Sequence, residues 1–85
     1  MPDTGDKRLR GVRLPHLAAW RRYNLLTQGE LAERAHVARA TINRAERGDS
    51  VSLENARQIA EALNTTPQQI MAGIPQGFTE AVGAA

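Results

Sequence analysis

The stretch Thr27–Gly48, TQGELAERAHVARATINRAERG, decides the fold. It reads as two short helices joined by a tight turn. Thr27 is an N-cap residue and Glu30 follows three positions later, the spacing of a capping box, in which side chains and backbone satisfy each other. Leu31, Ala32 and Ala35 recur at helical spacing and form one apolar face. His36 breaks that rhythm, Val37 is apolar again, and a second periodic segment begins near Arg39. There Ile42 and Ala45 point one way, while Arg39, Ala40, Asn43, Arg44 and Arg47 fall on the opposite side. Separations of three and four residues put these five on one continuous face. Its guanidinium groups, amide and methyl suit phosphates and base edges in a major groove: Arg with guanine, Asn with adenine, a methyl with thymine. A solvated amphipathic helix also carries arginines outside. What adds to that plain reading is the joint spacing of cap, small residue, turn and second helix, which lets two helices cross steeply and present one outward.

Working outward, Pro15 suits the first turn of a helix, where its missing N–H costs nothing. Helix 1 is therefore expected over about Pro15 to Asn24, with Leu14, Leu17 and Trp20 toward the core and Ala18 or Tyr23 at its margin. Helix 2 follows over about Gln28 to Ala35 and helix 3 over about Arg39 to Arg47, with Gly48 a good residue to end it. Ser52 caps helix 4, in which Leu53, Ala56, Ile59, Ala60 and Leu63 repeat at helical spacing. Thr66-Pro67-Gln68-Gln69 is a further start signal, and Gly73 stops a short helix 5 over about Pro67 to Ala72. Beyond it Phe78 and Val82 are four apart, enough for a weak extra helix at most. No alternation of β type is visible, so the expectation is all-α.

The totals agree with one small domain. The chain has 85 residues and no cysteine, so packing alone must hold it. No apolar run approaches the roughly 20 residues that span a bilayer, and MPDTGDKRLRG has no hydrophobic segment of a secretory signal. No membrane association is expected, and a cytoplasmic protein is the default. Lys7 to Arg47 holds ten basic and three acidic residues, whereas residues 1–6 and 48–85 are net acidic. A polyanion would meet the basic half. KRLRGVR, Lys7 to Arg13, reads either as an arm lying on phosphates or in a minor groove, or as a solubilising leader.

In these residues the chain resembles the Cro/phage-repressor type of helix-turn-helix domain, the XRE family. The resemblance covers about Leu17 to Gly73 and is carried by LTQGELAERA, by V-x-x-x-T-I-x-x-x-E-R-G in Val37 to Gly48, and by SLENARQIAEALNTTPQQIM. It implies a compact five-helix, lambda-repressor-like domain over residues 14–73, with the helix-turn-helix at helices 2 and 3. A flexible basic arm, residues 1–13, would precede it and a tail, residues 74–85, would follow. It also implies a nucleoid-associated regulator of transcription, chiefly a repressor, that binds double-stranded DNA as a homodimer on a pseudo-palindromic operator. By position Ala38, Arg39, Ala40 and Arg44 match base-facing sites, with Asn43 and Thr41 beside them. Gln28 matches a phosphate-holding residue, where a helix start already favours an anion. Thr41, Arg47 and Ser50, in the loop after Gly48, are placed with the backbone contacts. Arg21 and Glu46 match an ion pair that ties helix 1 to helix 3. Arg39 and Arg44 can each read a guanine, or bind phosphate instead.

Departures from the family pattern are also readable. His36 and Leu25 stand where glycine is preferred, so the connection at Leu25 is expected to be shaped differently. Ala45 is small where a larger aliphatic is common, and Trp20 is the residue available to fill that volume. Ala38 lacks the hydroxyl that usually caps the recognition helix, a loss of about 0.5–2 kcal/mol. An enzyme is the class least supported: His16 and His36 lie in no metal or nucleophile motif, and no catalytic residue, metal or cofactor is expected. The competing reading is an antitoxin or adaptor that uses the same fold to bind a protein partner. Such a module would need an exposed apolar patch more than outward arginines on helix 3.

Overall fold

The computed structural model describes residues 11–78. Where each helix begins follows from its capping chemistry. At the start of α2 (Gln28–Ala35) the Thr27 hydroxyl accepts from the Glu30 N–H at 3.0 Å, and the Glu30 carboxylate accepts from the Thr27 N–H at 2.8 Å. Ser52 caps α4 (Leu53–Ala62) through the Asn55 N–H. Thr66 caps α5 (Pro67–Ala72) through the Gln69 N–H, with Pro67 in the first turn. The Gln69 side chain bonds the Thr65 hydroxyl instead of returning to Thr66, so only half a capping box forms there.

Helix α1 is shorter than expected, Leu17–Tyr23. Pro15 and His16 form a turn instead, closed by the Leu17 N–H on the Leu14 carbonyl at 3.0 Å. Proline's fixed φ serves that turn as well as it would a helix start. The outward segment is α3, Arg39–Glu46.

The ends of four helices share one device. After α1, α2, α3 and α4 the chain reverses with paired N–H···O=C bonds of the Schellman type: Leu25 to Arg22 with Leu26 to Arg21, His36 to Glu33 with Val37 to Ala32, Gly48 to Ala45 with Asp49 to Arg44, and Asn64 to Glu61 with Thr65 to Ala60. The pivot must be left-handed, and φ is 60° at Leu25, 60° at His36, 102° at Gly48 and 57° at Asn64. The connection at Leu25 therefore keeps the backbone glycine would have taken, at a steric cost in that conformation of about 1–2 kcal/mol. Leu25 is 90% exposed, so its side chain offsets little of that. Leu25→Gly should stabilise the domain by about 0.5–1 kcal/mol after glycine's greater freedom in the unfolded chain is deducted. Urea unfolding measures this, and a lowered midpoint would show that the leucine contributes packing of its own.

The fold is not strictly all-α. Gly11–Arg13 form strand β1 and Ser50–Ser52 form strand β2, paired antiparallel with Val12 opposite Val51 and Arg13 opposite Ser50. Residues 11–13, read as the end of an arm, are part of the folded body, and Ser50 lies in a strand. Three-residue strands are too short to display a period of two. Lys7, Arg8, Arg10 and Val82 lie outside the described residues.

The core is made by one face of each element. Leu14, Leu17, Leu31, Ile42, Ile59 and Ile70 are fully buried, and each such side chain contributes about 1.5–3 kcal/mol of transfer free energy. Helix α2 packs against both α3 and α4, while α5 packs against α4 and α1. Val51 is buried and Val12 packs on the core edge, so the ribbon closes one side of the cluster. Trp20 also packs at the edge, and its indole N–H donates to the Gly73 carbonyl at 2.8 Å, tying α1 to the end of α5. Ala19 is buried in α1 together with Leu17, and Tyr23 is exposed. Pro75, in the expected tail, is fully buried, and Phe78 meets Tyr23 edge to face at 5.9 Å.

Candidate nucleic-acid interface

Helix α3 is held by its inner side. Thr41, Ile42 and Ala45 are buried, which leaves Ala38, Arg39, Ala40, Arg44 and Arg47 exposed and Asn43 half-buried at the margin. The guanidinium groups of Arg39, Arg44 and Arg47 have no hydrogen-bond or ion-pair partner among the described residues. Their donors are available to a ligand. Thr41 is the exception among the expected contact residues: at 9% exposure its side chain is turned into the monomer and offers a ligand little surface.

Arg21 is used quite differently. Its Nε donates to Glu46 Oε2 at 2.6 Å and its Nη2 to Glu46 Oε1 at 3.1 Å, a two-pronged pair with side-chain exposures of 13% and 9%. Its Nη1 donates to the Leu26 carbonyl at 2.9 Å, just before the Thr27 cap. One guanidinium thus fastens α1 both to α3 and to the start of α2. Planar, forked donors allow this where a lysine's single point charge would not.

Gln28 joins the same network, donating from Nε2 to Glu46 Oε1 at 3.0 Å. A carboxylate only accepts, so this bond fixes which end of the amide faces inward. Oε1 and the second N–H of Gln28 remain for other partners. They sit at the first turn of α2, where backbone N–H groups and the helix dipole favour an anion. The structure therefore brings Arg21, Gln28 and Glu46 into one cluster that sets the angle of α3 against α2. Glu46 as a partner of Gln28 was not legible in the sequence, since the two are separated by 18 positions and no local spacing links them. Ser50 is exposed in β2, beyond the turn that ends α3.

Ala38 has the extended backbone of an N-cap, φ −71° and ψ 145°, close to Thr27 and Ser52, but no side-chain cap. Ala38→Ser should raise stability by about 1 kcal/mol, read from the midpoint of chemical unfolding. An unchanged midpoint would mean that the first-turn donors of α3 are already well satisfied by water.

A family model described as helix-turn-helix, the Cro/C1-type or XRE family, matches residues 17–70. The match begins with α1 and ends within α5, covering the helical body except for the last two residues of α5. This chain is a member of the Cro/C1-type helix-turn-helix family. No curated protein and no solved structure matches it. Family membership makes it a DNA-binding regulator in the broad sense. The match includes β2 and begins after β1, so only the first strand of the ribbon lies outside the matched region. Among the described residues of this helix-turn-helix protein, no helix is long and apolar enough to cross a membrane.

Proposed function

We propose that this protein binds duplex DNA in a sequence-specific manner and represses transcription by occupying an operator. The observation that carries the reading is the outward face of α3 and its C-cap, where Arg39, Arg44 and Arg47 stand exposed with their guanidiniums unpartnered among the described residues, with Ala40 exposed and Asn43 half-buried beside them. In this reading α3 enters a major groove. Ala38, Arg39, Ala40, Asn43 and Arg44 face base edges, while Gln28, Arg47 and Ser50 hold backbone phosphates. Thr41 serves chiefly to seat the helix.

A homodimer would place two copies of α3 in successive major grooves about 34–36 Å apart, and a pseudo-palindromic operator mirrors that symmetry. Tyr23, Met71 and Ile74 are large apolar residues left exposed, and they supply apolar surface for a second protomer. Such a regulator acts on the nucleoid in the cytoplasm.

Selection from a random duplex library with the purified protein tests the reading. Enrichment of a palindromic consensus is expected. Recovery of no preferred sequence would overturn it and favour the antitoxin or adaptor role, in which the same fold binds chiefly a protein.

A further inference from the structure

Strand β1 places a basic residue, Arg13, directly opposite Ser50. Val12 and Val51 are opposite each other and turned toward the core, so Arg13 and Ser50, also opposite each other, share the outward face of the ribbon. Directly opposed residues on one face of an antiparallel pair lie about 4.5–5.5 Å apart at Cβ. Ser50 follows Arg47 by only the Gly48–Asp49 turn. The outward face of the ribbon is thus continuous in the chain with the C-terminal end of α3, where Arg44 and Arg47 are exposed.

Three further observations concern Arg13 itself. It is exposed, and no group among the described residues pairs with its guanidinium. The nearest carboxylate in sequence across the ribbon, Asp49, forms no ion pair with it. Its backbone is clamped on both sides, by Val12 packed at the core edge and by fully buried Leu14. An arginine on a free arm would lose backbone freedom when it met a ligand, whereas one in a paired strand has lost it already.

We propose that the β1–β2 ribbon is a second DNA-backbone surface of this protein, on which Arg13 binds a phosphate flanking the segment read by α3. The inference rests on the DNA-binding reading above and adds to it a residue outside the region the family model matches. The contact is electrostatic and carries no base preference, because a guanidinium on a phosphate oxygen sees the same group at every step. Ser50, directly beside it, completes the surface with a hydroxyl.

The test is the salt dependence of binding by the full chain to its selected duplex, compared with Arg13→Ala and Arg13→Gln. Each phosphate contact adds about one unit to the slope of log affinity against log salt. Both variants should therefore show a slope shallower by about one per bound protomer, bind unrelated duplexes more weakly in the same proportion, and keep the wild-type consensus. Thermal unfolding should be unchanged, since the side chain is exposed and unpartnered. Adding Ser50→Arg to Arg13→Ala should restore the slope, because it returns the charge to the same face one strand away. An unchanged slope in both variants, with a wild-type protein that binds DNA, would overturn the role of the ribbon and leave the regulator reading intact. A changed base preference would overturn it equally, as Arg13 would then be reading sequence. A wild-type protein with no salt-dependent DNA binding would remove both readings together.

Discussion

Replacing Glu46 by alanine should destabilise this domain by about 3–5 kcal/mol, the range found when one partner of a buried ion pair is removed and the other is left unneutralised. The geometry puts this site in that class and not among surface pairs, which contribute under about 1 kcal/mol. The two side chains are 13% and 9% exposed, and three donors converge on the carboxylate: Nε and Nη2 of Arg21 and Nε2 of Gln28. Alanine would strand the Arg21 charge and the Gln28 amide at once. Small domains are stable by only about 5–15 kcal/mol in total, so the variant should unfold at a much lower urea concentration. Glu46→Gln, which keeps the shape and one acceptor oxygen, should lose less. A loss within about 0.5 kcal/mol for alanine, the scale of an ordinary surface substitution, would show that water screens the pair despite its burial.

The second large effect concerns recognition and leaves stability alone. Arg44→Ala should weaken binding to the preferred duplex by about 1–3 kcal/mol and relax selectivity at one base pair, because a two-pronged arginine–guanine contact discriminates by that amount. Such a loss is roughly 5- to 150-fold in affinity. Arg44 is exposed and without a partner among the described residues, so unfolding should be unaffected. Selection repeated with the variant is the measurement. A uniform loss over all duplexes with a shallower salt slope would reassign Arg44 to phosphate, the role proposed for Arg13. Arg13 and Arg44 therefore make a matched pair: both are exposed arginines, one expected to move the salt slope and the other the consensus.

Much of the helical body was legible because its determinants are local. Thr27 with Glu30 and Thr66 with Gln69 act over three residues, Ser52 is a capping residue in its own right, and those helices start where these signals predict. The apolar repeat of Leu31, Ala32 and Ala35 and that of Ala56, Ile59 and Ala60 mark the buried faces by the same short-range rule. Pro15 shows the limit of such signals. Its φ suits either a helix start or a turn, and the Leu14 carbonyl closing on Leu17 selects the turn. Leu25 and His36 show another limit: neither residue prefers a left-handed backbone as glycine does, yet both adopt it. The hydrogen bonds that reverse the chain and the packing on either side outweigh the local strain.

What the amino-acid sequence by itself determined is the succession of helices, their inner faces and the row of arginines on the outer face of α3, all properties of neighbours a few positions apart. Tertiary structure alone decided the pairing of Gly11–Arg13 with Ser50–Ser52, the burial of Thr41 and the joining of Gln28 to the Arg21–Glu46 pair. The partners in the ribbon and in that cluster lie far apart along the chain, and their meeting depends on how α1, α2 and α3 pack. A strand of three residues has too little pattern to announce itself, and an amide's partner is chosen by whichever acceptor the fold places within about 3 Å of it.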